Sequence, residues 1–328
     1  MNRWKIAIMS VLPMPVVLLV VLLAGGWVSF SPLLCSQSVQ FVRSIQLDSG
    51  SHKKTIGSFL LGRKKQVAFK PGSLCLLPDH TLCVTDAVNG AVVLLDSRGK
   101  IKKHITDFKG GRLVSPVDCC TDDKGNLYIV DSYLRVVLEF DRNGKFKRVF
   151  IQQPDTRITG MLFFRNVFYC VDTLNHRILI FNRGGKPEFS FGKRGGGDGE
   201  FNFPTHITAG GDYIYITDAM NFRVQVFDQT GKFIRCFGSN GRGGGNFSKP
   251  KGLAVDYEQR IFVADAMFDN VQLFNHQGEF LYYFGSPGHG EGEFWMPSDV
   301  LVGVDNTIWV ADTYNSRIQV FQLLQEAP

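Results

Sequence analysis

The chain is 328 residues long, 44% apolar and 20% charged, with a net charge of +6. That apolar content can bury a large core. The charge is local: residues 51–112 hold twelve Lys/Arg against four Asp, so the remainder is slightly acidic, which excludes a uniformly basic nucleic-acid binder.

The chain opens with Arg3 and Lys5, followed by an apolar run from Ile6 to Val28. As a helix of about 1.5 Å per residue, such a run is long enough for a bilayer core. The cationic start, with Arg43 the first basic residue after the run, places the N-terminus inside and the rest outside, periplasmic or extracellular. Pro13 and Pro15 kink such a helix without excluding it. A signal peptide cut near Ala24-Gly25-Gly26 is the rival reading and implies a secreted form. Residues 1–35 are therefore expected to be an anchor or signal with a short linker, and 36–328 one folded domain. The seven cysteines, Cys35, Cys75, Cys83, Cys119, Cys120, Cys170 and Cys236, show no CxxC spacing. They read as small apolar core residues, with at least one unpaired.

From residue 70 onward the chain repeats. Six short apolar strands end in Asp86, Asp131, Asp172, Asp218, Asp265 and Asp312, spaced 45, 41, 46, 47 and 47 residues apart. A period of that length, filled with short strands, predicts propeller blades. Pro71, Pro116, Pro204, Pro250 and Pro297 each open a first strand, where a missing N–H falls outside the ladder. Blade three has Arg157-Ile-Thr-Gly160 there instead. Glycine-rich connectors at 192–201, 238–247 and 285–294 resemble phosphate loops only in composition, since no helix follows them. They read as flexible crossings between blades. The last unit ends after its third strand, at Arg317–Phe321, while Val39–Leu47 matches the outer strands of other units. An N-terminal strand that completes blade six closes the ring and leaves no open edge. Its alternation is expected to put Val39, Phe41 and Ile45 on one face. The fold class is thus all-β, a six-bladed propeller of four-stranded blades, preceded by one N-terminal transmembrane or signal helix.

Three blades carry Asp-x-x-Asn-x-Arg: Asp172, Asn175 and Arg177; Asp218, Asn221 and Arg223; Asp312, Asn315 and Arg317. Asp and Asn cap their own turn, and Arg pairs with the Asp. In this motif the chain resembles the NHL-repeat six-bladed propellers, over about nine-tenths of its length. Blades one, two and five depart from it at Ala91, Leu134 and Phe268. The absence of RING or B-box cysteine clusters separates it from ubiquitin-ligase relatives. The resemblance implies a scaffold and specifies no activity.

The residues two after each opening proline, Ser73, Asp118, Gly160, His206, Gly252 and Asp299, are expected to enter the central channel. Asp118, His206 and Asp299 fall on alternate blades and could hold a divalent cation. A water-filled polar channel mouth is the competing reading. The amidating lyase of peptidylglycine, a relative in this resemblance, implies metal-binding histidines at such positions, of which one is present. No Gly-x-Ser-x-Gly or His-Glu-x-x-His motif occurs. The basic stretch, Lys64, Lys65, Lys102 and Lys103 among it, suits a solvated face or an anionic partner, with nucleic acid disfavoured for want of interleaved aromatics. The expected function is a membrane-tethered extracytoplasmic module that binds a protein or envelope polymer. The alternative is a metal-dependent lyase or hydrolase of amidating-lyase or lactonase type.

Overall fold

The computed structural model describes residues 38–47 and 68–324. The boundary expected between residues 35 and 36, the apolar run 6–28, Lys64 and Lys65 lie outside the described residues. No helix among the described residues is long and apolar enough to cross a membrane.

Six four-stranded antiparallel sheets form the blades. Blade one comprises Leu74–Leu76, Leu82–Asp86, Ala91–Leu95 and Ile101–Ile105. Blade two comprises Pro116–Thr121, Leu127–Asp131, Val136–Phe140 and Phe146–Gln152, and blade three Ile158–Phe164, Val167–Asp172, Arg177–Asn182 and Pro187–Phe191. Blade four comprises Pro204–Gly210, Tyr213–Asp218, Arg223–Phe227 and Phe233–Phe237, and blade five Pro250–Val255, Ile261–Asp265, Asn270–Phe274 and Phe280–Phe284. Blade six takes Pro297–Val302, Thr307–Asp312 and Arg317–Leu324, and is completed by Ser38–Gln46 from the other end of the chain. Each first strand contacts the first strands on either side of it, which closes a ring around a central channel. Second and third strands face a neighbouring blade on both sides and are buried almost throughout.

The core consists of six clusters, one in each seam between adjacent blades. A bulge in each outer strand lets that strand serve two seams. In blade four, Val226 pairs with Arg235 and Phe227 with Phe233, so Ile234 is left over and exposed. The extra residue reverses the period-two alternation. Phe233 then packs with blade three and Phe237 with blade five.

The closing strand follows this rule. Phe41 pairs with Phe321 and Arg43 with Val320, so Val42 is the extra, exposed residue. Val39 and Phe41 join the seam with blade five, whereas Ile45 and Leu47 join the seam with blade one. The expectation that Ile45 shares a face with Val39 and Phe41 is corrected by this bulge, which uninterrupted alternation does not reveal. Arg43 reaches across the same seam, donating to the carbonyls of Ser97 and Arg98 at 2.8 and 3.1 Å.

The glycine-rich connectors are pinned, which corrects their reading as flexible crossings. Each ends in a phenylalanine that is fully buried: Phe201, Phe247 and Phe294. A Cβ on Gly192, Gly238 or Gly285 would run into that ring, and all three glycines have positive φ. Arg223 donates to the carbonyls of Gly197 and Glu200 at 2.7 and 2.9 Å, and Asn221 to Gly195 at 2.8 Å. Arg317 and Asn315 hold the 285–294 connector in the same manner.

Candidate functional site

The six strand-ending aspartates are fully buried, and each ties two loops at one end of its blade. Asp218 accepts from the backbone N–H of Asn202 at 2.6 Å, from Asn221 at 2.9 Å and from Arg223 at 2.9 Å. Asp312 does the same with Trp295, Asn315 and Arg317, and Asp172 with Arg157, Asn175 and Arg177. Where the motif departs, backbone N–H groups take over: Asp131 accepts from Val114, Tyr133 and Leu134, and Asp265 from Ser248, Met267 and Phe268. The turn after the second strand is therefore rigid in every blade, and so is what it displays.

What it displays is apolar. Two residues after each aspartate stands a large side chain that points to solvent: Val88, Tyr133, Leu174, Met220, Met267 and Tyr314, all between 47% and 72% exposed. Connectors at the same end add Val114, Phe203 and Trp295. Trp295 packs against Tyr314 with ring centroids 5.4 Å apart, and Lys70 sits 5.3 Å from the Tyr314 ring. Exposed Arg135, Arg157, Arg242 and Lys249 belong to the same set of loops. None of the channel-facing positions points to this ring, although its signal, an apolar residue at the second position after all six aspartates, stands in the sequence.

The channel residues are held differently from a simple converging trio. A bulge between Pro116 and Asp118, repeated between Pro204 and His206 and between Pro297 and Asp299, turns these side chains inward. Asp118 accepts from Ser73 Oγ at 2.5 Å and from the Met161 N–H at 2.6 Å, bridging blades one and three. Asp299 accepts from the Leu74 and Val300 N–H groups at 2.8 and 2.9 Å, joining blades six and one. It leans over Gly252, where any Cβ would strike its carboxylate. His206 Nε2 lies 3.7 Å from Asp299 Oδ1. The ligating atoms of Asp118, His206 and Asp299 do not all come within 4.8 Å of one another. Each carboxylate instead accepts at least one hydrogen bond from a neighbouring blade.

Burial pushes Asp118 up to about 6, with Asp299 adding to the rise while His206 and Ser73 oppose it. Burial also pushes Asp299 up to about 7 against its two backbone N–H bonds. His206 is lowered by burial, so the imidazole is neutral at neutral pH. A cavity of ≈ 950 Å³ includes all three residues and is also lined by Pro78, His80, Val304 and Asp305. It lies toward the end of the ring opposite the aspartate turns.

Two other predicted features are resolved. Lys102 donates to Thr81 Oγ1 at 2.8 Å and lies 3.4 Å from Asp79, and Lys103 donates to the Asn143 carbonyl at 2.9 Å. Cys75, Cys83, Cys119, Cys120 and Cys170 are buried free thiols, and Cys236 is exposed.

A family model described as NHL repeat matches residues 294–321, and one described as a 6-bladed beta-propeller matches residues 204–260. No curated protein matches the chain by sequence. Among solved structures, a streptogramin B lyase is similar over 89% of this chain and 99% of its own, with TM-score 0.61 and 13% identity. A gluconolactonase from Xanthomonas campestris is similar over 78% and 87%, with TM-score 0.60 and 12% identity. An auxiliary nutrient binding protein from Bacteroides thetaiotaomicron is similar over 79% and 70%, with TM-score 0.62 and 14% identity. At such identities the likeness concerns the fold alone. The chain is a six-bladed β-propeller that carries an NHL repeat at residues 294–321.

Proposed function

We propose that this protein is a membrane-tethered extracytoplasmic binding module that docks a protein or envelope polymer on the aspartate-turn end of its propeller. The observation that carries this reading is the ring of one exposed large apolar side chain per blade. Single exposed apolar residues are ordinary, but a set repeated around one rim marks an interaction surface. The buried aspartates fix each turn before any ligand arrives, so little ordering entropy opposes binding. Exposed Arg135, Arg157, Arg242 and Lys249 favour a partner that combines apolar groups with negative charge. The tether rests on the run Ile6–Val28 with its cationic start.

The test replaces Tyr133, Met220 and Tyr314 together by Asp and compares cross-linked capture from envelope fractions with that of the parent protein. These side chains are solvent-exposed, so the melting temperature is expected to hold while a reproducible partner is lost. Equal recovery by both proteins would refute the assignment of this face.

A further inference from the structure

Cys75, on the first strand of blade one, pairs directly with Cys83 on the second, so both side chains leave one face of the sheet. Cys119, on the first strand of blade two, approaches that face across the seam. The three sulfur atoms all lie within 4.8 Å of one another, and among the described residues no other His, Cys, Asp or Glu set of three is so close. Burial holds the Cys83 and Cys119 thiols well above their ordinary range, so they stay protonated until something displaces the proton.

A metal–thiolate bond of about 2.3 Å places three sulfurs in a trigonal plane about 4 Å apart. The observed cluster needs to contract by less than about 1 Å to reach that geometry. Structural zinc asks for four ligands, and a catalytic zinc fills the fourth position with water. Here Leu77, Val92, Leu94 and Leu127 share the buried cluster, and among the described residues no fourth His, Cys, Asp or Glu brings a ligand atom within 4.8 Å of all three sulfurs. A soft ion content with three sulfurs fits better, and soft sulfur ligands select cuprous copper. Cys75 and Cys119 also line the central cavity, which supplies a route in.

We propose that Cys75, Cys83 and Cys119 form a three-coordinate site for a cuprous ion, reached from the central cavity. Copper remains Cu(I) throughout, so no electron is transferred. Each copper–thiolate bond that forms releases one thiol proton to solvent. Three protons leave if every sulfur binds as thiolate, and two if one binds as a neutral thiol.

The full reduced chain is titrated anaerobically with Cu(I) against a chromophoric Cu(I) chelator, with proton release followed in parallel. One equivalent is expected, with an ultraviolet thiolate-to-copper band and release of two or three protons. It should persist in a Cys35→Ser/Cys236→Ser background and weaken at least tenfold in Cys83→Ala and Cys119→Ala, with circular dichroism to check folding. If those variants fail to fold, alkylation in the parent protein decides: Cu(I) should protect Cys75 and Cys119 from a small neutral reagent. No binding beyond the chelator, binding unchanged in Cys119→Ala, binding lost in the Cys35→Ser/Cys236→Ser background, or unprotected thiols would each overturn the site. Equal affinity for Zn(II) would overturn its assignment to a three-coordinate soft ion.

Discussion

Ile45→Ala should open the seam between blades six and one, whereas Val42→Ala should do almost nothing. Ile45 is buried against blade one, in a cluster with Leu47, Leu82 and Leu95, and its branches press on Gly99, where a Cβ would lie 2.9 Å from Cγ1. Removing a buried isoleucine to the β-carbon costs about 2–5 kcal/mol, transfer and cavity together. The glycine at the contact has no side chain with which to fill the void, so the middle of that range, about 3 kcal/mol, is expected. For a domain of this size each kcal/mol moves the melting temperature by roughly 2–4 °C, giving a fall of roughly 6–12 °C. Val42, the bulged residue, is 53% exposed and touches neither seam cluster, so its truncation should stay within about 0.5 kcal/mol. Urea melts followed by tryptophan fluorescence give both values, with Trp309 packed against the same cluster as a reporter. A Val42→Ala cost equal to that of Ile45→Ala would mean that the bulge, and with it the closure register, is misplaced.

Three further outcomes follow from the channel and the N-terminus. Asp118 and Asp299 have folded values above the ordinary 3.8, so the folded protein binds the extra protons. Their contribution is fully present below about pH 4 and is lost as pH rises through 6 to 7, worth about 3 kcal/mol for Asp118. His206, lowered by burial, works the other way and disfavours folding below its ordinary 6.5. Asp118→Asn keeps an acceptor for Met161 N–H and a donor for Ser73, so denaturant melts at pH 5 and pH 8 should differ less than in the parent; an unchanged difference contradicts the burial account. Gly252→Ala drives a Cβ into the Asp299 carboxylate and should cost several kcal/mol, while Gly292→Ala, with open space around it and φ of +74, should cost only about 1 kcal/mol of backbone strain, as thermal melts can show. The protein should partition with membranes after a high-salt wash and keep its N-terminus; sequencing that starts after Gly26 would establish a secreted form instead.

The repeat, the closing strand and the aspartate turns were legible because each is a local pattern: a period near 46 residues, a matched strand, a capped turn. The bulge at Val42 was not, since period-two reading assumes that no residue is skipped, and only the pairing with Phe321 and Val320 exposes the skip. Pinning of the glycine connectors is hidden for a related reason: the motif pairs Arg223 with Asp218 alone, while its other nitrogen holds carbonyls 23 and 26 residues earlier. Cys75, Cys83 and Cys119 carry no ligand spacing because a register pair and a blade seam, not a turn, bring them together. The channel positions were foreseen, but their lone-pair partners were not, because Ser73, Leu74 and Met161 come from neighbouring blades.

Site-specific photo-cross-linking tests the proposed docking face most directly. A photoreactive residue is placed in turn at Tyr133, Met220 and Tyr314 on the aspartate-turn end, and at Tyr257 on the opposite end, where exposure reaches 91%. Irradiation of intact cells followed by mass spectrometry should yield a shared adduct from the first three positions and none from position 257. Adducts from position 257 alone, or none from the three turns, would contradict the account.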